Sequence, residues 1–197
     1  MASPTKITRD SLMTLEAYAK TRKDFRARVM AHKKGRTLHL GEHVTLIFED
    51  ELTMRYQVQE MLRAEKVFEE EGIQEEIDAY NPLIPDGCNF KATMMIEYED
   101  EAERRAALAK LKGIEDKTWV RVAGHSPVYA IADEDLERET EEKTSSVHFL
   151  RFELDEAMAR DLKDGSSLSI GVDHPDYRAA LDPVSPALRS SLSQDLA

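Results

Sequence analysis

The second half of this chain carries a weak internal repeat that limits its folding options: twice it runs strand, acid-capped helix, returning strand. In the first copy Phe90, Ala92, Met94, Ile96 and Tyr98 alternate at the period of two that lines one face of a strand. Asp100 and Glu103 form a capping-box-like helix start, Gly113 stops the helix, and Trp119 to Ala123 is the return. In the second, Val147 to Leu154 is the strand and Asp155 the cap. Ala157, Met158 and Leu162 form the helix face, Gly165 the stop, and Leu168 to Val172 the return. Tyr98-Glu99-Asp100-Glu101-Ala102 resembles Phe152-Glu153-Leu154-Asp155-Glu156-Ala157. Between the copies, Gly124-His125-Ser126-Pro127 turns the chain into Val128 to Ala132. Two β-α-β units flanking a hairpin predict an α+β fold, with an antiparallel sheet of ferredoxin-like or related type and helices on one face.

The first third reads as helical. Thr8 is the expected N-cap of a helix using Leu12, Leu15, Ala19, Phe25 and Val29, with Lys33-Lys34-Gly35 as a basic last turn and stop. Leu38, Leu40, Val44, Leu46 and Phe48 then alternate around Gly41-Glu42, as a hairpin or one bulged strand. Helical spacing returns over 51–71 with Met54, Val58, Met61, Leu62 and Phe68 on one stripe and Gly72 as terminator. A short helix around Ile73, Ile77 and Tyr80 must end by Asn81-Pro82, because proline disfavours helix in the residue before it. Pro85-Asp86-Gly87 is a turn, and Ser185 caps a final helix. The expected organisation is one domain over 1–197: a basic helical arm at 1–36, an α+β core at 37–182 and a tail helix at 183–197.

At 197 residues the chain can bury a core without disulfides, and 41% hydrophobic with 34% charged residues is a globular composition. The start lacks an apolar leader and no segment runs apolar for the ~20 residues of a membrane helix, so neither secretion nor spanning is expected. A lone Cys88 fits a reducing compartment, and a cytoplasmic location is the expectation. The net charge is −12, yet residues 1–36 carry ten Lys and Arg against three acids. Arg22, Lys23, Arg26, Arg28, Lys33, Lys34 and Arg36 have no aromatic platform beside them, and the acidic remainder repels phosphate backbones, which argues against nucleic acid. The arm is expected to dock on the chain's own acidic surface or to stay solvated.

His39-Leu40-Gly41-Glu42-His43 spells the H-x-x-E-H zinc pattern, whose chemistry needs both histidines on one helical face. Gly41 and the β-branched residues that follow predict a hairpin with the two rings on opposite faces, and the constellation dissolves. His148 shares a strand face with Leu150, Phe152 and Leu154, and His174 follows Leu168, Ile170 and Val172. Both point inward, either as hydrogen-bonded core histidines or as metal ligands with Asp173 or Asp176. Glu65 falls near the centre of the stripe of the 51–71 helix, where a carboxylate needs a partner. Tyr56, Gln57, Gln59, Glu60 and Arg63 give that helix a polar array, either a solvated surface or a recognition face. The acids from Asp133 to Glu142, including Asp133, Glu134, Asp135 and Glu137, lack the glycine and spacing of an EF-hand loop and read as a solvated connection or helix, or as a loose cation-binding stretch. No phosphate loop, nucleophile elbow or nucleotide fingerprint appears.

Ala31-His32-Lys33-Lys34, Tyr56-Gln57-Val58-Gln59-Glu60-Met61-Leu62-Arg63, Tyr80-Asn81-Pro82-Leu83-Ile84-Pro85-Asp86-Gly87, Val128-Tyr129-Ala130-Ile131-Ala132-Asp133-Glu134-Asp135 and Ser145-Ser146-Val147-His148-Phe149-Leu150-Arg151-Phe152 together resemble the bacterial domain-of-unknown-function family 3501, over nearly the whole chain. The resemblance brings no catalytic residue or cofactor. It implies a cytosolic protein often encoded beside a rubrerythrin-like diiron protein and an iron–sulfur oxidoreductase. With one cysteine the chain cannot hold a four-cysteine cluster, so the resemblance implies an accessory of a redox or peroxide-stress system with those proteins as partners. Its expected ligand or partner surface is the 51–71 helix with the Asn81 to Gly87 turn, including Asp86. The alternative expectation is a metal-binding protein or metal-dependent enzyme in which His148, His174 and a carboxylate, Glu65 or Asp173, share a pocket.

Overall fold

The computed structural model describes residues 5–197; residues 1–4, read above for a leader, lie outside them. Thr8 caps only a 3₁₀ turn, Arg9–Ser11, and the first helix, α1 (Leu15–Lys34), begins after Thr14, whose hydroxyl accepts from the Ala17 amide. The chain continues through strands β1 (Thr37–Leu40) and β2 (Val44–Glu49), helices α2 (Glu51–Glu65) and α3 (Glu70–Tyr80), and strand β3 (Asn89–Ile96). Helix α4 (Glu101–Lys110), a 3₁₀ turn (Glu115–Lys117) and strands β4 (Thr118–Val122), β5 (Val128–Tyr129) and β6 (Ile131–Ala132) follow. Strand β7 (Val147–Glu153), helix α5 (Glu156–Lys163), strands β8 (Leu168–His174) and β9 (Tyr177–Leu181) and helix α6 (Pro186–Ser193) complete it.

The strands form two antiparallel sheets, ordered β1-β2-β3-β7-β6 and β5-β4-β8-β9. The α+β class with antiparallel pairing is as expected; the ferredoxin-like arrangement is not, because each β-α-β unit crosses from one sheet to the other. β3 pairs with β7 through Ala92↔Leu150, and β4 with β8 through Val120↔Ile170, so the two repeats lie side by side in both sheets. Extended by their flanking strands, the copies become β2-β3-α4-β4-β5 and β6-β7-α5-β8-β9, each spanning both layers. Asp100 and Asp155 cap the equivalent helices, accepting from the Glu103 and Met158 amides at 2.8 Å.

Both sheets and helices α4, α5 and α6 share one core that includes Phe48, Phe90, Phe152, Leu108, Leu162, Ile170 and Leu192. The Phe48 ring meets Phe90 edge-on at 6.1 Å and Phe152 at 6.4 Å. Full burial of each such side chain stabilises by about 1.5–3 kcal/mol. β8 is buried along most of its length because Trp119 lies across Gly171 on the sheet's other face. A second cluster, with Met54, Val58, Leu62, Ile73 and Ile77, joins α2 and α3 to the amino-terminal segment through Ile7 and Leu12.

The single helix expected over 51–71 breaks at Lys66, whose left-handed backbone (φ 55°) ends α2, and Gly72 lies inside α3. Phe68, expected on the stripe, is 70% exposed in the connection. The basic arm both docks and stays solvated. Arg22 grips Glu60 with two bonds of 2.8 and 2.9 Å and Arg36 is 2% exposed, while Lys23, Arg26, Arg28 and Lys34 face solvent.

Candidate metal centre

Three successive segments of the chain bring Glu115, Asp133 and His148 together, with one ligand atom from each inside a span of 4.8 Å. Glu115 opens the 3₁₀ turn between α4 and β4. Asp133 follows β6 in a left-handed conformation (φ 51°) that costs roughly 1–2 kcal/mol for a residue with a Cβ. Its side chain offsets this by completing the ladder: the Asp133 amide donates to the Phe149 carbonyl and its Oδ1 accepts from the Phe149 amide, both at 2.9 Å. His148, inward-facing on β7 as the strand period predicts, is fully buried.

His148 Nδ1 lies 2.6 Å from Asp133 Oδ2. An ionised carboxylate only accepts, so Nδ1 carries the hydrogen; in the neutral imidazole Nε2 then turns its lone pair to the far side of the ring. There it meets three oxygens: Thr144 Oγ1 at 3.0 Å, the Ser145 carbonyl at 3.1 Å and Glu115 Oε2 at 3.8 Å. Glu115 is 7% exposed and its Oε2 has no hydrogen-bond partner among the described residues. Burial raises the Glu115 carboxyl above its usual range. The Thr144 hydroxyl can donate to that lone pair, while the Ser145 carbonyl and the bare Glu115 oxygen can only accept, so a positive charge between them, an Nε2 proton or a bound cation, serves both. A metal bonded at ~2.0–2.2 Å to nitrogen and oxygen bridges ligands up to about 4 Å apart, which the 3.8 Å Nε2–Oε2 separation satisfies. Asp133 then supplies the carboxylate behind a ligating histidine that fixes its tautomer and orientation.

Above the cluster the connection from Asp133 onward folds across a groove of about 450 Å³ lined by Glu115 and Asp133, with Asp116, Glu134, Asp135 and Glu137 around them. Arg138 pins this connection. It grips Asp135 at 2.6 and 2.7 Å, reaches Asp133 Oδ1 at 3.2 Å and lies 4.7 Å over the Phe149 ring.

The other residues singled out from the sequence lie elsewhere. His174 is buried in the four-stranded sheet, its Nε2 donating to the Lys112 carbonyl at 2.9 Å and its Nδ1 accepting from the Asp176 amide, a hydrogen-bonded core histidine outside the His148 cluster. Asp173 is exposed on β8 opposite Arg178, and Glu65 is the exposed last residue of α2 rather than the centre of a stripe. The polar array of α2 is largely turned to internal use. Tyr56 and Gln59 are buried, Gln59 Oε1 accepts from the Met13 amide at 2.7 Å, and Glu60 accepts from the Tyr18 hydroxyl at 2.5 Å as well as from Arg22. Gln57 is half-buried and Arg63 is exposed. Asn81 exchanges two bonds with the Ile7 backbone, and Asp86 accepts from the Cys88 amide within its turn. His39 sits on β1 bonded to Thr45, and His43 stacks on Tyr98 at 3.8 Å, so the H-x-x-E-H segment is a hairpin and not a zinc helix. Glu115 escaped the sequence reading, and Asp133 entered it within the acidic stretch and the Val128–Asp135 segment of the resemblance, not as a partner of His148.

Glu115, Asp133 and His148 thus form a buried group whose donor atoms could hold a metal ion. The chain belongs to the family described as protein of unknown function (DUF3501), whose model matches residues 6–196. A crystal structure at 1.90 Å of a novel protein of unknown function from Burkholderia pseudomallei is similar, with a TM-score of 0.93 and 60% identity over 98% of this chain and 100% of that one. No curated protein matches the chain. Among the described residues no helix is long and apolar enough to cross a membrane.

Proposed function

We propose that this protein binds one divalent transition-metal cation between His148 Nε2 and Glu115 Oε2, with Thr144 Oγ1 and the Ser145 carbonyl as neighbouring oxygen donors and Asp133 holding the imidazole. The observation that carries this reading is the buried Glu115 oxygen left without a partner 3.8 Å from the histidine nitrogen. A buried unsatisfied carboxylate oxygen costs at least about 1–3 kcal/mol, and a bound cation removes that cost. One imidazole with oxygen donors suits zinc, iron(II) or manganese rather than a thiolate-seeking copper(I). The role implied by the family resemblance, an accessory of a redox or peroxide-stress system working beside rubrerythrin-like or iron–sulfur proteins, gives such a metal a use, and the exposed Phe68 and Arg63 remain available for contact with those partners.

The test is elemental analysis of tag-free protein equilibrated separately with zinc, manganese or iron(II) and freed of excess metal. The expected content is one metal per chain in the wild type and none in His148→Ala. Metal-free wild type, or equal metal in the variant, would reject the site.

A further inference from the structure

A charged groove adjoins the buried centre and shares Glu115 and Asp133 with it. The 450 Å³ groove is lined by Asp116, Glu134, Asp135, Glu137 and Glu139 besides the two carboxylates of the centre. Arg138 is the one cationic side chain lining it, and its charge is committed to Asp133 and Asp135. Two neighbouring cations neutralise part of the wall: Arg151 pairs with Glu134 at 2.8 Å and Lys112 lies 3.7 Å from Glu139. Asp116 and Glu137 are exposed at the rim and keep a net negative field over the opening. A cleft of one sign with low-dielectric walls concentrates ions of the opposite sign and speeds their entry, while it turns away phosphates and carboxylates before contact. Glu115 is common to the groove lining and to the Nε2 side of His148, so one side chain joins the groove to the buried acceptor.

Building on the metal site proposed above, we infer that this groove is a cation entrance through which the centre loads and exchanges its metal, so that the dication is the ligand handled here and anionic metabolites are excluded. The Asp116 and Glu137 carboxylates steer the ion without binding it in its final position. Steering shows in rate and salt dependence, and ligation in capacity.

The experiment is stopped-flow loading of the full chain with Co²⁺, followed by its ligand-field absorption, for wild type and the Asp116→Asn/Glu137→Gln double variant. At low ionic strength the variant should load roughly tenfold more slowly. The difference should close near 1 M salt, where charges are screened beyond about 3 Å, and both proteins should saturate at the same one cobalt per chain. Equal low-salt rates would overturn the entrance while leaving the metal site standing. Loss of bound cobalt at saturation would overturn it too, by making the rim carboxylates ligands. No uptake by the wild type would reject the metal site itself, and the entrance with it.

Discussion

The Asp195 carboxyl, 6% exposed, is pushed up to about 6 by burial, which outweighs the attraction of the Arg36 guanidinium 2.5 Å away. Arg36 is itself held by the Phe48 carbonyl at 2.9 Å, by the Glu49 and Ser191 carbonyls at 3.3 Å and by Asp50 Oδ2 at 3.6 Å, the same oxygen that His32 Nε2 meets. A carboxyl whose folded pKa is raised favours the folded state while it is protonated, and that contribution is lost as pH rises through the folded value. From 3.8 to about 6, at 1.36 kcal/mol per unit, the loss amounts to about 3 kcal/mol between about pH 2.5 and pH 7.5. Asp195→Asn holds the site neutral throughout while Arg36 keeps its carbonyls and Asp50. The variant should therefore equal or exceed the wild type in stability at pH 7.5, and its stability should vary less with pH across 5–7.5. Urea unfolding followed by far-ultraviolet circular dichroism at several pH values compares the two directly. Identical pH slopes, or a variant destabilised at pH 7.5 by the roughly 3–5 kcal/mol typical of a broken buried pair, would refute the reasoning.

Glu60 provides the opposite sign. The Arg22 and Tyr18 hydrogen bonds hold its carboxyl down to about 2, so its contribution is present above pH 4.5 and disappears as pH falls toward 2; Glu60→Gln should flatten the acid limb of the unfolding profile. A Cβ at Gly171 would meet the Trp119 ring at 2.5 Å, so Gly171→Ala should cost roughly 1–3 kcal/mol and shift the emission of Trp119, the chain's single tryptophan. Gly41 has φ +68°, and a Cβ there would lie 2.6 Å from the Tyr177 hydroxyl, so Gly41→Ala should lower the melting temperature by loosening the contact between β1 and β9.

Periodicity and caps made much of this fold legible. The repeat in the second half, the Asp100 and Asp155 caps, the hairpin at Gly41 and the inward turn of His148 all follow from local spacing. A period of two says which face of a strand is buried but not which sheet receives it, so nothing local showed that each β-α-β unit crosses between layers. The end of α2 at Lys66 was hidden for a related reason: its left-handed backbone departs from local preference, and the chain continues with Val67 partly buried against the second core cluster. Of the Glu115–Asp133–His148 cluster, only His148 was legible as a candidate ligand. Glu115 lies in a short turn and Asp133 in an acidic run, and residues drawn from three segments carry no common spacing to mark them.

The central claim is that a cation belongs between His148 Nε2 and Glu115 Oε2, and anomalous diffraction from crystals loaded with zinc, manganese or iron(II) locates it directly. The expected result is one strong peak per chain about 2.0–2.2 Å from both atoms, with Asp133 still bonded to Nδ1 and outside the metal's bonding distance. A peak at another site, or none at these two atoms in crystals that hold metal elsewhere, would contradict it.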